Sequence, residues 1–458
     1  MRDSSYLIVN TTYSVALERA PSSVWNLGTV LIAGLGVLLT FAIVAFGAVQ
    51  EWSTFAFETG AAVLFLIWVV KQIVSRQLRL SKNTLYLPSL FFFGLLLAQL
   101  GLRTSAYSYV TKYEALQYVS YGIVLLITSE CVLEEDARKK FALALIIFGT
   151  LYAFYALVQQ LTSQGKFFWF YTPRFAGAIY GSYVNHNHYA GLMEMLVPFP
   201  LVVSMGHLLK REQRALVAFC SVLMASTIFL SGSRGGMFSF AVEIVTFAGL
   251  TLIQKRNLRV AVGIATVSAL VLGFLVFIGR GRVLGWLADL DPSIRSNITK
   301  DCLRMFLHRP VLGWGLGTFP TVYPSFRSFY TNLFVNEAHN DYAQLLVETG
   351  LIGFILMLWF LFCLYRSGLP RSSRRWEFKW DGAVSFAALL GCTGLLFHSL
   401  VDFNLQIPAN AAIFYALCGL AATPLSKAYR KRASRETEDA ENGRGPLPND
   451  NGRSFASS

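Results

Sequence analysis

Two arginines, one histidine and a few amide and carboxylate side chains stand out in a chain that otherwise reads as hydrocarbon-facing helix. Arg234 sits in the short turn SGSRGG (231–236), Arg295 opens an amphipathic stretch, and His339 leads the tetrapeptide His339-Asn340-Asp341-Tyr342. Guanidinium forks match the oxygens of an anion, so arginines gathered on one membrane face can hold an anionic ligand. An imidazole beside them can act as a proton acceptor. A histidine just ahead of a helix sits at the positive end of its dipole, which disfavours imidazolium and leaves the ring ready to accept a proton near neutral pH. Asn340 or Asp341 is a natural N-cap for that helix.

Other polar groups share that face. The loop between Leu161 and Tyr189 carries an aromatic run, Phe167 to Tyr171, and then Arg174, Asn185, His186, Asn187 and His188. Two histidines at i, i+2 without a nearby carboxylate or cysteine form a poor metal set, since zinc wants three or four converging ligands. Asn185 or Asn187 suits a helix cap instead, compatible with a role in binding sugar. An arginine at the depth of Arg234 is costly in a membrane. It can snorkel or pair with Glu243, or it can meet an anion together with the helix N-terminus that follows. The surrounding glycines favour the anion, because they would otherwise only weaken a helix end. His398 and Asp402, at i, i+4, are expected to pair with each other near a helix end and face the bundle interior. The Arg309-Pro310 turn and the glycines Gly313, Gly315 and Gly317 also look functional. No strand precedes those glycines, so they are not a dinucleotide fingerprint.

The elements that must position these groups are membrane helices. Only 14% of residues are charged and mean hydropathy is +0.50, whereas a soluble chain is about a quarter charged. Apolar runs at 27–49, 57–74, 85–101, 114–132, 140–161, 189–208, 215–231, 237–253, 259–278, 350–366, 383–401 and 408–425 approach the length of a membrane-crossing helix. They predict an all-α polytopic membrane protein with about twelve transmembrane helices and a large helical outer loop. The first run is too long and starts too late for a cleaved signal peptide, and is expected to remain as an anchor.

The net charge of +13 does not indicate a nucleic-acid partner. The basic residues fall in clusters between apolar runs: Lys71 to Lys82, Lys210 to Arg214, Lys255 to Arg259, Arg366 to Lys379 and Lys427 to Arg432. They mark the cytoplasmic side. Loop 130–140, where acidic and basic residues mix, is the discordant one. This assignment puts the candidate residues on the outer face. It divides the chain into a lead-in (1–26), nine helices (27–278), an outer catalytic loop (279–349), three helices (350–426) and a disordered cytoplasmic tail (427–458). Cysteine placement argues against a structural disulfide.

Arg295, HRPVLGWGLGTF (308–319) and AHNDYAQLLVETGLIG (338–353), preceded by GSRGG (232–236) and followed by HSLVDFNLQIPANA (398–411), resemble the O-antigen ligase and polymerase superfamily of bacterial membrane glycosyltransferases. The resemblance spans roughly 170–420, and the first 170 residues match only as apolar helices. It implies a GT-C-like inner-membrane enzyme with its active site on the periplasmic face. Such an enzyme moves a glycan from undecaprenyl diphosphate to an acceptor hydroxyl, without metal or cofactor and with inversion at the anomeric carbon. The acceptor is lipid A core in a ligase and another lipid-linked repeat in a polymerase. Carried over by motif, Arg234 and Arg295 resemble the diphosphate-binding arginines and His339 the essential histidine, with Arg174 a weaker fourth. Asn185, Asn187, Asp341, His398 and Asp402 are expected to line the substrate site. A transporter of lipid-linked glycan is the alternative of another class, although transporters usually place charged groups at the midplane.

Overall fold

The structure is a computed structural model that describes residues 6–9, 22–76, 78–172, 179–255, 273, 292–331, 334–372 and 376–425. A two-stranded antiparallel ribbon pairs β1 (Tyr6–Val9), within the lead-in, with β2 (Leu78–Ser81). The principal described elements are otherwise helices: α1 (Ser22–Val44), α2 (Glu51–Val74), α3 (Tyr86–Gly101), α4 (Ser108–Cys131), α5 (Glu135–Thr162), α6 (His186–Leu196), α7 (Pro198–Met205), α8 (Arg211–Ser231), α9 (Arg234–Lys255), α10 (Pro292–His308), α11 (Asp341–Ser372), α12 (Trp380–His398) and α13 (Pro408–Ala422).

Among the described residues, 8 spans are long and apolar enough to cross a membrane, with α6 and α7 forming one of them, while α3 and α13 are apolar but shorter. The chain is an all-α polytopic membrane protein. Each predicted apolar run falls on one of these helices except 189–208, which α6 and α7 share, and 259–278, which apart from residue 273 lies outside the described residues.

Two spans form the centre. The α6–α7 and α12 spans are each 83% buried, against 28% to 44% for the others. Small residues along α12 make this possible, since without a hydrophobic drive between helices in lipid, close backbone approach supplies the packing. A Cβ at Gly391 would lie 2.6 Å from the carbonyl oxygen of Met195. α12 therefore rests almost backbone to backbone on α6.

The glycine run that looked functional has a packing role. Gly313, Gly315 and Gly317 all have positive φ. The segment locks onto the first turns of α11, where Gly350 interrupts the helix with φ 66° and ψ −166°. Trp314 N donates to Val347 O at 3.0 Å, Gly315 N to Glu348 O at 2.9 Å and Leu351 N to Pro310 O at 2.8 Å. A Cβ on Gly350 would stand 2.3 Å from Val311 O. The crossing needs glycine on both sides, and Arg309 stacks on Trp314 at 4.2 Å while donating to Thr104 O at 2.7 Å. The predicted amphipathic helix is α10, whose Ile298, Cys302 and Met305 bury against Phe319, Tyr323 and Val347 in a small core of its own.

At the opposite end of the bundle, the discordant charges of loop 130–140 are structural. Arg138 is fully buried and donates to Val132 O, Thr423 O, Ser385 and the carboxylate of Asp381. Glu130 accepts from Ser81 N at 2.6 Å, and Glu135 from Trp380 N at 2.8 Å. These charges tie α5, α12 and α13 together rather than meeting a lipid headgroup. Arg138→Ala should cost about 3 kcal/mol, the usual penalty for breaking one side of a buried ion pair. Thermal unfolding in detergent will show this, with Lys139→Ala as a near-neutral control.

Candidate functional site

The N-termini of α6, α9, α11 and α13 and the C-termini of α8 and α12 meet at one end of the bundle. Loop 399–407, between α12 and α13, is the piece they share. The start of α11 clamps it. Asp341 N donates to Ser399 O at 3.0 Å, Asn340 Nδ2 to Leu400 O at 2.9 Å, and Asp341 Oδ2 accepts from Leu405 N at 3.0 Å. Asn340, not Asp341, caps the helix, its Oδ1 accepting from Ala343 N at 3.0 Å. From the other side Arg295, exposed on the first turn of α10, donates to Val401 O at 2.7 Å.

The clamped loop presents Asp402. This side chain is 2% exposed and is surrounded by donors and imidazoles. Asn187 Nδ2 donates to Oδ2 at 2.6 Å and Phe403 N to Oδ1 at 2.9 Å. The Nδ1 of His339 stands 3.6 Å from Oδ1 and the Nε2 of His188 3.9 Å from it. Burial alone would raise the Asp402 carboxyl, but the neighbouring His339, His188 and His398 hold it well below the usual carboxylate range. It is therefore a fixed carboxylate. Both flanking rings also meet Phe403 edge-on, His188 at 4.7 Å and His339 at 4.9 Å.

His339 is the accessible member, with its side chain 31% exposed. Its φ is +53°, a left-handed conformation that a non-glycine residue adopts at a cost of order 1–3 kcal/mol. The start of α11 and the Asp402 carboxylate together set its place. A carboxylate facing Nδ1 favours the tautomer with the proton on Nδ1, leaving the Nε2 lone pair free to accept one.

The other candidates fall as follows. Asn185 caps α6, its side chain accepting from Asn187 N at 2.9 Å. His186 Nδ1 lies 2.8 Å from Ser231 O, so the two histidines around Asn187 take separate partners. No group of metal-ligating side chains occurs among the described residues. Arg174 lies outside them. Arg234 is the first residue of α9, exposed and without a hydrogen bond or ion pair among the described residues, and it does not pair with Glu243.

Its glycines do more than open the backbone. A Cβ on Gly235 would come 2.5 Å from His398 Nε2 and 3.2 Å from Val401 Cγ2, and one on Gly236 would come 2.9 Å from Glu194 Oε1. Arg234 thus begins a helix packed against Val401, the residue whose carbonyl receives Arg295. The two arginine segments converge on one point of the loop.

The expected pairing of His398 with Asp402 does not form. α12 ends at His398 and Asp402 N still donates to His398 O at 3.1 Å, but the two side chains turn to different partners. His398 Nδ1 instead meets Glu194 of α6 at 3.0 Å. Sequence reasoning passed over Glu194, although a carboxylate within an apolar run is itself a signal. It also passed over His188 as a neighbour of Asp402, and Phe403.

These features describe a multi-pass membrane protein with polar side chains gathered at one end of its helix bundle. Residues 219–358 match the O-antigen ligase family, to which this part of the chain is similar. The match contains Arg234, Arg295 and His339, while Asn187 and Asp402 lie outside it. No curated protein matches the chain.

Asp402→Asn removes the carboxylate charge 3.6 Å from His339 Nδ1 and should lower the protein's activity about a hundredfold, as loss of a group beside a catalytic side chain commonly does. Because Asp402 has a depressed folded value, its contribution is present above the ordinary carboxylate range and is lost only as pH falls through that lower value. Wild-type transfer rates should therefore show no acid limb from this residue in the ordinary carboxylate range. Initial rates in proteoliposomes across that range check both outcomes.

Proposed function

We propose that this protein is an O-antigen ligase-type glycosyltransferase of the bacterial inner membrane, working on the periplasmic face. It moves a glycan from undecaprenyl diphosphate to a sugar hydroxyl of lipid A core. The observation that carries this is the carboxylate–imidazole pair Asp402–His339, half open at a helix end where Arg295 donates to Val401 O and Gly235, next to Arg234, packs against Val401. The outward orientation of that end rests on the basic clusters at the other side.

In this reaction the acceptor oxygen attacks the anomeric carbon from the face opposite the diphosphate. The hydroxyl proton passes to Nε2 of His339 as the new C–O bond forms. The bond to the diphosphate oxygen breaks with its electron pair, and the guanidinium groups of Arg234 and Arg295 neutralise the charge left there. A single displacement inverts the anomeric carbon. Two arginines supply the countercharge that a divalent ion would otherwise bring.

An apolar cleft of about 100 Å³ runs beside Asp341, lined by Phe92, Tyr118, Leu356, Phe360, Leu405 and Phe414 among others. Its position next to the site suits the polyprenyl chain of the donor. A polymerase would use the same groups with a second lipid-linked repeat as acceptor.

His339→Ala, Arg234→Ala and Arg295→Ala should each lower turnover about a hundredfold or more with membrane insertion intact. Full activity in His339→Ala removes the base assignment. Deletion of the gene, followed by analysis of surface and lipid-linked glycans, separates the acceptors. Long polymer stranded on undecaprenyl diphosphate supports the ligase, single repeats on the core support the polymerase, and unchanged glycans overturn both.

A further inference from the structure

The seam where α9 meets α6 and α12 carries polar groups that glycan transfer does not use. Gly235, Ser239 and Glu243 recur every fourth residue on α9 and so share one face. Gly235 adjoins His398 Nε2 and Gly236 adjoins Glu194, while a Cβ on Gly394 of α12 would fall 1.6 Å from Glu243 Oε1. The face therefore lies against the two central helices. His398 Nδ1 is engaged by Glu194, but its Nε2 has no partner, nor do Ser239 Oγ or either oxygen of Glu243. His398 and Ser239 are 0% exposed and Glu243 is 2% exposed.

An orphaned buried polar atom costs about 1–3 kcal/mol. An unpaired buried carboxylate costs more. Four such atoms along one seam, offering donors and acceptors together, suit ordered water better than dry packing. Glu243 lies eight residues beyond Gly235, ~12 Å along the helix axis. The seam reaches from the site end well into the α9 span.

We propose that this seam is a hydrated proton path, with Glu243 as its inner proton-holding group and the Glu194–His398 pair as its end beside the site. Only protons move along it. An O–H bond of Glu243 breaks as one on water forms, each water passes a proton onward, and the Nε2 of His398 gives or receives the last. Glu194 is a positioning residue, fixing Nδ1 so that Nε2 faces the seam. Cys392 of α12 is the other titratable group near Glu243, and Asp402, Asp341, His186 and His188 lie beyond His398. Ionisable side chains are retained within membrane spans where they serve proton or ion movement. The path lets the charge of the Glu194–His398 pair adjust although neither group meets bulk water. This proposal stands independently of the transferase reading.

Infrared spectroscopy of the full-length protein in lipid bilayers, exchanged from H2O into D2O, tests it without any transfer assay. A protonated-carboxyl stretch should be lost in Glu243→Gln, and in the wild type it should shift down in D2O while the protein stays folded. Ser239→Val should keep the band and slow its shift about tenfold. If Glu243→Gln does not fold, Glu243→Asp supplies the assignment by moving the band, and the Ser239→Val comparison then decides. No band assignable to Glu243, a band that never shifts in D2O, or wild-type exchange in Ser239→Val would each overturn the path.

Discussion

The buried carboxylate of Asp402 is the constraint around which the site is built. A charge removed from water must be compensated by donors already in place. Asn187, the amide of Phe403 and the imidazoles of His188 and His339 supply that compensation. They come from α6, loop 399–407 and the residue ahead of α11. Holding Asp402 charged thus obliges three distant parts of the chain to meet at one helix end. His339 gains from this a fixed place beside the carboxylate.

Backbone proximity does the rest. Gly391 against Met195, Gly235 against His398 and Gly350 against Val311 each mark a crossing that one extra carbon would obstruct. The first two set α12 and α9 upon their neighbours, and so bring the segment bearing Arg234 to Val401. The third fixes the entry of α11, and with it the angle at which His339 leaves the preceding loop. Glycines that resemble a ligand loop when read along the chain are here the means by which helix ends come close enough for side chains to converge.

Much of this was legible in the sequence. Run length and apolarity placed the helices, since crossing hydrocarbon leaves the backbone few alternatives. The candidate groups His339, Asp402, Asn187 and Arg295 were recognisable because polar residues beside apolar runs are conspicuous. Their partners were not. Spacing suggested that His398 and Asp402 face each other, but one side chain turns toward Glu194 and the other toward His339. Loop 130–140 looked discordant for a similar reason, because a charge count cannot distinguish Arg138, buried on Asp381, from an arginine at a headgroup. Contacts between residues hundreds of positions apart carry no local periodicity, and they decided each of these cases.

The central claim is that Arg234, Arg295 and His339 address one lipid diphosphate from one side of the bundle. A cryo-EM map of the protein in nanodiscs with a non-transferable polyprenyl-diphosphate sugar tests this most directly. The predicted map places the diphosphate within hydrogen-bond reach of both guanidinium groups and the anomeric carbon on the Nε2 side of His339. Diphosphate density elsewhere, with the two arginines left uncontacted, would contradict it.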